Sequence, residues 1–222
     1  MCSSDLRNSI ELYLNGSVYG AVLHQRKILP LHGSSFRYKG AAVMICGDAG
    51  AGKSSLTASF CLNGAEFLTD DVTPLVFRNG IPYIWAMSDR IKLWGDTLDH
   101  FERGDKGLER IYPGTDKFFF PIKNRGSVTS KLSLIFLIEI NDVTEVNIDE
   151  ITGPDKFAAV RGEIYRSEYL QGMPENDQLY FRNIVEICQN VKVIRVERST
   201  GTGINSLKKT IEEILKAELC HE

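Results

Sequence analysis

Apolar residues in this chain fall either into short unbroken blocks or into stripes that recur every third or fourth position, and the order of the two predicts an α/β fold. Leu132 to Ile140 is the strongest block and predicts a strand central in a sheet. Ala41 to Cys46 and Val191 to Val196 read as further buried strands, and Ala65 to Thr69 as a short one. Val72 to Phe77 and Ile81 to Trp85 flank Arg78-Asn79-Gly80, the signature of a hairpin. Stripes predict helices over Ser54 to Leu62, with Gly64 as a C-terminal cap, and over Asn176 to Gln189. A C-terminal helix carries Ile204, Leu207, Ile211, Ile214 and Leu215 on one face, with Glu212 and Lys216 on the other. Thr97 to Phe101 predicts a shorter helix.

Near the N-terminus, Ile10, Leu12 and Leu14 alternate up to Asn15-Gly16, and Val18 and Val22 follow. That spacing predicts a β-hairpin with a tight turn. Leu29 to Phe36 reads as an extended segment leading into the strand at Ala41. Glu102 to Asn124, rich in charge, Gly and Pro, reads as a surface excursion that could bind a partner. No repeat or linker divides the chain, so residues 1–222 are expected to form a single domain, with residues 1–40 integrated into it.

Composition narrows the class. The 222 residues are 43% hydrophobic and 25% charged, ordinary for a globular protein with a packed core. A net charge of −3 argues against a general nucleic-acid binder. No apolar run is long enough to span a bilayer, so no membrane association is expected. Met1-Cys2-Ser3-Ser4-Asp5 lacks the basic and apolar regions of a secretory signal, and a cytoplasmic location is expected. Cys2, Cys46, Cys61, Cys188 and Cys220 show no C-x-x-C spacing and read as reduced thiols.

The chemistry enters with Gly47-Asp48-Ala49-Gly50-Ala51-Gly52-Lys53-Ser54, a match to the phosphate loop G-x-x-x-x-G-K-[ST]. Glycines let successive backbone N–H groups turn inward around a polyphosphate; the lysine then reaches the β/γ-phosphates and the Ser54 hydroxyl can ligate Mg²⁺. The preceding strand and following helix aim a helix N-terminus at the anion. Ser55 continues this nucleotide-binding set. Asp70 and Asp71 end the next predicted strand, so their carboxylates should lie near the γ-phosphate. Side chains diverge on a regular strand, so both face the site only if the chain bends there. A hairpin after His32 would return its imidazole to the phosphates, whereas His24, His100 and His221 have only structural readings. Arg90, Lys92 and Lys117 are candidate cations for the charge on a transferring phosphoryl group. Phe118-Phe119-Phe120 reads as core or interface.

His32-Gly33, the loop Gly47 to Ser54 and the pair Asp70-Asp71 together resemble the kinase domain of bacterial HPr kinase/phosphorylase. The clear likeness covers about residues 30–78, and Arg90 to Trp94 and Asp116-Lys117 are similar to segments of smaller relatives. The resemblance implies a phosphoenolpyruvate-carboxykinase-like P-loop fold, a mixed sheet with flanking helices. It also implies ATP- and Mg²⁺-dependent phosphorylation of a serine hydroxyl, with Asp70 as general base assisted by His32, Lys53 on phosphate, and Ser54 and Asp71 on the metal. Ala49 stands where that family's loop usually has Ser, and Ser55 where it usually has Glu. An Arg-Gly-Leu-Gly segment after the Asp pair and a separate N-terminal domain are not found. These departures bear on HPr as substrate and on the reverse reaction. The expected acceptor is another protein or a peptide, as for kinase-like proteins that accompany modified-peptide biosynthesis; a homo-oligomer stays open. Two alternatives remain: a small-molecule kinase or ATPase of the same fold, and a non-catalytic nucleotide-responsive binding module. No [NT]-K-x-D or Leu-Ser-Gly-Gly motif supports a GTPase or an ABC-type ATPase.

Overall fold

The computed structural model describes residue 10, residues 13–122 and residues 127–219. In chain order come α1 (Tyr19–Gln25, continuing π-helical turns over Leu14–Val18), β1 (Leu29–His32), β2 (Ser34–Tyr38), β3 (Ala41–Gly47) and α2 (Lys53–Leu62). Then follow β4 (Glu66–Thr69), β5 (Val72–Arg78), β6 (Ile81–Trp85), β7 (Arg90–Trp94), α3 (Gly95–His100), β8 (Glu109–Arg110) and β9 (Lys117–Pro121). Last come β10 (Thr129–Ile140), β11 (Asn147–Glu150), α4 (Gly153–Gly162), 3-10 turns over Ser167–Gly172 and Pro174–Asn176, α5 (Asp177–Asn190), β12 (Lys192–Arg198) and α6 (Ile204–Leu219).

Among the described residues the strands form a nine-stranded mixed sheet and a separate three-stranded one, β7-β9-β8. The block at Leu132 does become the centre of the large sheet. β10 runs parallel to both β3 and β12, and its first residues pair antiparallel with β6. Period-two alternation divides β3 between two cores. Val43 and Ile45 pack with α2, α6 and the small sheet, whereas Ala42, Met44 and Cys46 pack with α4 and α5. A register shift between Leu132 and Leu134 of β10 keeps both faces apolar. The predicted stripe on α6 is buried at Leu207, Ile211 and Leu215, and Lys216 lies 3.0 Å from Glu212 on its outer side. Asn79 and Gly80 take φ of 53° and 77° at the β5–β6 hairpin, as its tight turn requires.

Two expectations are corrected. The N-terminal hairpin is instead a helix over Leu14–Gln25; Leu12 lies outside the described residues. Ile10, Leu14, Val18 and Val22 also recur every fourth position, and Gly16 serves close packing rather than a turn: a Cβ there would meet the Tyr165 hydroxyl at 3.3 Å. The excursion from Glu102 holds β8 and β9, and Ile111, Phe118, Phe119 and Ile122 are buried there. Its Arg110 lies over the Phe118 ring, and Arg90 of β7 lies over Phe119. No helix among the described residues is long and apolar enough to cross a membrane.

Candidate functional site

The phosphate loop is shaped by its glycines and by the strand beside it. Gly47 has φ 132°, and a Cβ there would stand 2.2 Å from the Ile138 carbonyl oxygen of β10, so only glycine lets β3 end against that strand. Gly50 (φ 84°) and Gly52 (φ 96°) turn the chain into α2, with Gly52 as its N-cap. The first N–H groups of α2 have no carbonyl within the helix and point at the loop, where an anion would satisfy them. Lys53 Nζ donates to the carbonyls of Gly47 (2.7 Å) and Asp48 (3.0 Å). Arg198, at the end of β12, braces the loop from below by donating to the Ala51 carbonyl at 3.0 Å. No motif marks it; its place at a strand end beside the loop was the only available cue. Asp48, Ala49 and Gly50 are exposed, and Ser55 Oγ lies 3.1 Å from Thr97 Oγ1 of α3.

The bend that two facing carboxylates require is present. β4 stops at Thr69, Asp71 takes φ 71°, and Val72 N–H bonds to the Asp70 carbonyl at 2.9 Å. Such a three-residue turn with a non-glycine residue at its centre is strained and persists only where its surroundings hold it. Here Gly33 N–H bonds to the Asp71 carbonyl at 3.2 Å. Behind the turn is a buried chain of hydroxyls, Ser35 to Thr69 (2.6 Å) to Thr73 (2.7 Å), with Thr73 donating to the Gly33 carbonyl (3.1 Å). The result separates the two acids. Ser54 Oγ donates to Asp70 Oδ1 at 2.7 Å, and Lys92 N–H to Asp70 Oδ2 at 2.9 Å. Asp71 instead receives Lys92 Nζ at 2.9 Å and faces His32 Nδ1 at 3.9 Å. The family likeness pairs Ser54 with Asp71 and His32 with Asp70; the contacts seen pair Ser54 with Asp70 and His32 with Asp71.

Charge follows this geometry. Burial would raise the Asp71 carboxyl, but Lys92, His32 and Lys117 together hold it below the ordinary range. Burial, then Lys53, lower the His32 imidazole, which Asp71 only partly offsets, so the ring is neutral near pH 7. Lys117 is lowered by burial against the pull of Asp70, and its ammonium lies over the Trp94 ring at 5.3 Å. Arg90 lines the neighbouring cleft. Glu163 carries a carboxyl pushed up to about 7 by burial, with Lys53 opposing, Asp48 reinforcing and the Gly47 N–H opposing.

Glu163 belongs to a strap that sequence patterning gave no sign of. His32 N–H donates to the Glu163 carbonyl (2.6 Å) and Tyr165 N–H to the Pro30 carbonyl (3.0 Å), so residues 163–165 lie along the edge of β1. The Tyr165 ring stacks on the His32 imidazole, 5.7 Å between centroids and 9° between planes. The mouth of the loop is a cleft of about 530 Å³ between this strap and Asp48, Ala49, His32 and Asp71. A second cleft of about 710 Å³ opens on the other side, floored by Asp70 and Lys92 and walled by Arg90, Phe119, Tyr19 and Met87. Ser54 Oγ and Asp70 Oδ1 are hard oxygen donors beside the loop lysine, a donor set that fits Mg²⁺.

No family model matches the sequence, and no curated protein matches it. Among solved structures, the chain is similar to the HPr(Ser) kinase/phosphatase from Coxiella burnetii, with a TM-score of 0.44 and 13% identity, over 85% of this chain and 98% of that one. A likeness this distant leaves the reading of the site to the site's own geometry.

Proposed function

We propose that this chain is a P-loop phosphotransferase that uses ATP and Mg²⁺ to phosphorylate a serine hydroxyl of a protein or peptide partner. The observation that carries the reading is the turn at Asp71. It brings two carboxylates to the mouth of a phosphate loop and gives them different partners, Ser54 for Asp70 and His32 with Lys92 for Asp71.

In this reading the N–H groups at the start of α2 and Lys53 bind the polyphosphate, and Lys53 exchanges the Gly47 and Asp48 carbonyls for phosphate oxygens. Ser54 and Asp70 would hold Mg²⁺, which when bound neutralises charge on the β- and γ-phosphate oxygens. The acceptor enters the cleft beside His32 and Asp71. Its hydroxyl oxygen bonds to the γ-phosphorus, the bond to the ADP oxygen breaks, and the hydroxyl proton passes to the Asp71 carboxylate. Neutral His32 orients that carboxylate, and Lys92 keeps it ionised before the transfer. Lys117, and Arg90 at longer range, add positive potential around the transferring group. This assigns the base to Asp71 and the metal to Asp70, the reverse of what the family likeness implies. The partner is expected to be neither nucleic acid nor membrane.

The test is γ-labelled ATP with a lysate of the native cell, adding wild-type or Asp71→Asn protein. The reading predicts label on serine of one polypeptide with the wild type and none with the variant. Label that appears equally with both would reject it. A second reading, a small-molecule acceptor, is favoured by the size of the mouth cleft, about 530 Å³, which suits a metabolite. It predicts ADP release without any protein partner, accelerated by one compound of a metabolite panel.

A further inference from the structure

Tyr165 is held on every side by contacts that make sense only if its ring has to stand in one place. One face lies parallel to the His32 imidazole. On the α1 side, a Cβ at Gly20 would come 2.8 Å from two ring carbons, so that residue has no side chain where the ring sits. Leu23 and Val72 complete the apolar seat. The backbone is fixed too. Tyr165 N–H bonds to Pro30, and its carbonyl accepts from His24 Nε2 at 2.8 Å. His24 is fully buried and is itself set by the Tyr180 hydroxyl at 3.1 Å and by Asn176, which donates to the His24 carbonyl at 2.9 Å. This is a costly arrangement for one half-apolar ring: a buried imidazole, a glycine within a helix and a strap paired to a strand edge.

We infer that Tyr165 is a positioning residue for His32, and that Gly20 and His24 of α1 set where its ring stands. The inference rests on the proposed role of His32 beside Asp71. Without the ring, the imidazole gains a free volume on its open face and can rotate away from the carboxylate it orients. Displacements of about 1 Å at reacting groups cost on the order of 100-fold in rate. The effect should therefore fall mainly on turnover, since the Tyr165 ring stacks on His32 and not on Lys53 or Ser54, the side chains that hold the nucleotide in this reading.

The experiment uses the full chain and two readouts. The first is the position of the His32 ring-proton signals in NMR, which stacking under Tyr165 shifts upfield. Tyr165→Phe should keep that shift, Tyr165→Leu should abolish it and Gly20→Ala should reduce it. The second is ADP release with Mg·ATP. Tyr165→Leu should lower kcat about 10- to 100-fold with the KM for ATP changed less than about twofold, and Tyr165→Phe should restore the rate. Gly20→Ala should slow the wild type but add nothing to Tyr165→Leu, because both act through one ring. The inference is overturned if Tyr165→Leu leaves the His32 signals or kcat unchanged, or if Phe fails as badly as Leu. Should the wild type release no ADP and label no acceptor, the phosphotransferase reading fails, and the ring-proton shifts still decide the seating of His32 separately.

Discussion

The phosphate loop takes its geometry from consecutive residues, Gly47 to Ser54, whereas the side proposed to face the acceptor gathers His32, Asp71, Lys92, Glu163 and Tyr165 from separate stretches. The loop is stiffened by covalent continuity, three glycines at positive φ and the ends of β10 and β12. The acceptor side depends on strand register, on one strained turn and on a strap paired to β1. The two halves should accordingly fail in different ways. Damage to the loop should abolish binding, and damage to the acceptor side should abolish turnover while binding persists.

The largest expected effect is on the acceptor side. Asp71→Asn removes the proposed proton acceptor without changing shape, and should lower turnover by roughly 10²- to 10⁴-fold. ATP affinity, measured by calorimetry, should stay close to wild type; a parallel loss of both would erase the contrast. Next comes the loop. Lys53→Met should weaken ATP binding by about 2–4 kcal/mol, because a desolvated phosphate oxygen loses its charged partner. Binding that survives this change would mean that the polyphosphate lies elsewhere.

Much of the loop could be read from the sequence because its instructions are local: an apolar block, a glycine motif and a capped helix, in that order. That β3, β10 and β12 are strands, with β10 central, was legible for the same reason, as short runs dominated by apolar residues. The acceptor side was legible only as residue types. Asp70-Asp71 announced two carboxylates, but which one meets Ser54 is decided by the φ of Asp71 and by Lys92 arriving from β7. Tyr165 and Glu163 carry no motif, and their position comes from pairing with Pro30 and His32. Misreading Asn15-Gly16 as a turn has the same origin, since Gly16 and Gly20 answer to a distant tyrosine. Phe118 was legible as core or interface and is buried, but Arg110 looked like part of a loop until the small sheet set its guanidinium over the Phe118 ring.

Smaller effects sharpen the contrast through pH. Lys92→Met leaves a half-buried Asp71 without its main partner and should cost about 1–3 kcal/mol at pH 7 by denaturant unfolding. Asp71 is lowered in the folded state, so the stability it contributes is present above about pH 4 and lost as pH falls below that. The gap between wild type and Lys92→Met should therefore close on acidification. Glu163 has the opposite sign. Its carboxyl, raised to about 7, favours the fold at low pH and loses that contribution as pH climbs to about 7. Glu163→Gln should then gain melting temperature relative to wild type between about pH 5 and pH 8. A gap that is flat with pH would place this carboxylate in water.

The division of labour between the two acids is tested most directly by the Mg²⁺ dependence of ATP affinity in Asp70→Asn and Asp71→Asn, titrated side by side. The account predicts that Asp70→Asn loses the enhancement by Mg²⁺ while Asp71→Asn keeps it. Loss of the enhancement in Asp71→Asn, with Asp70→Asn unaffected, would contradict it.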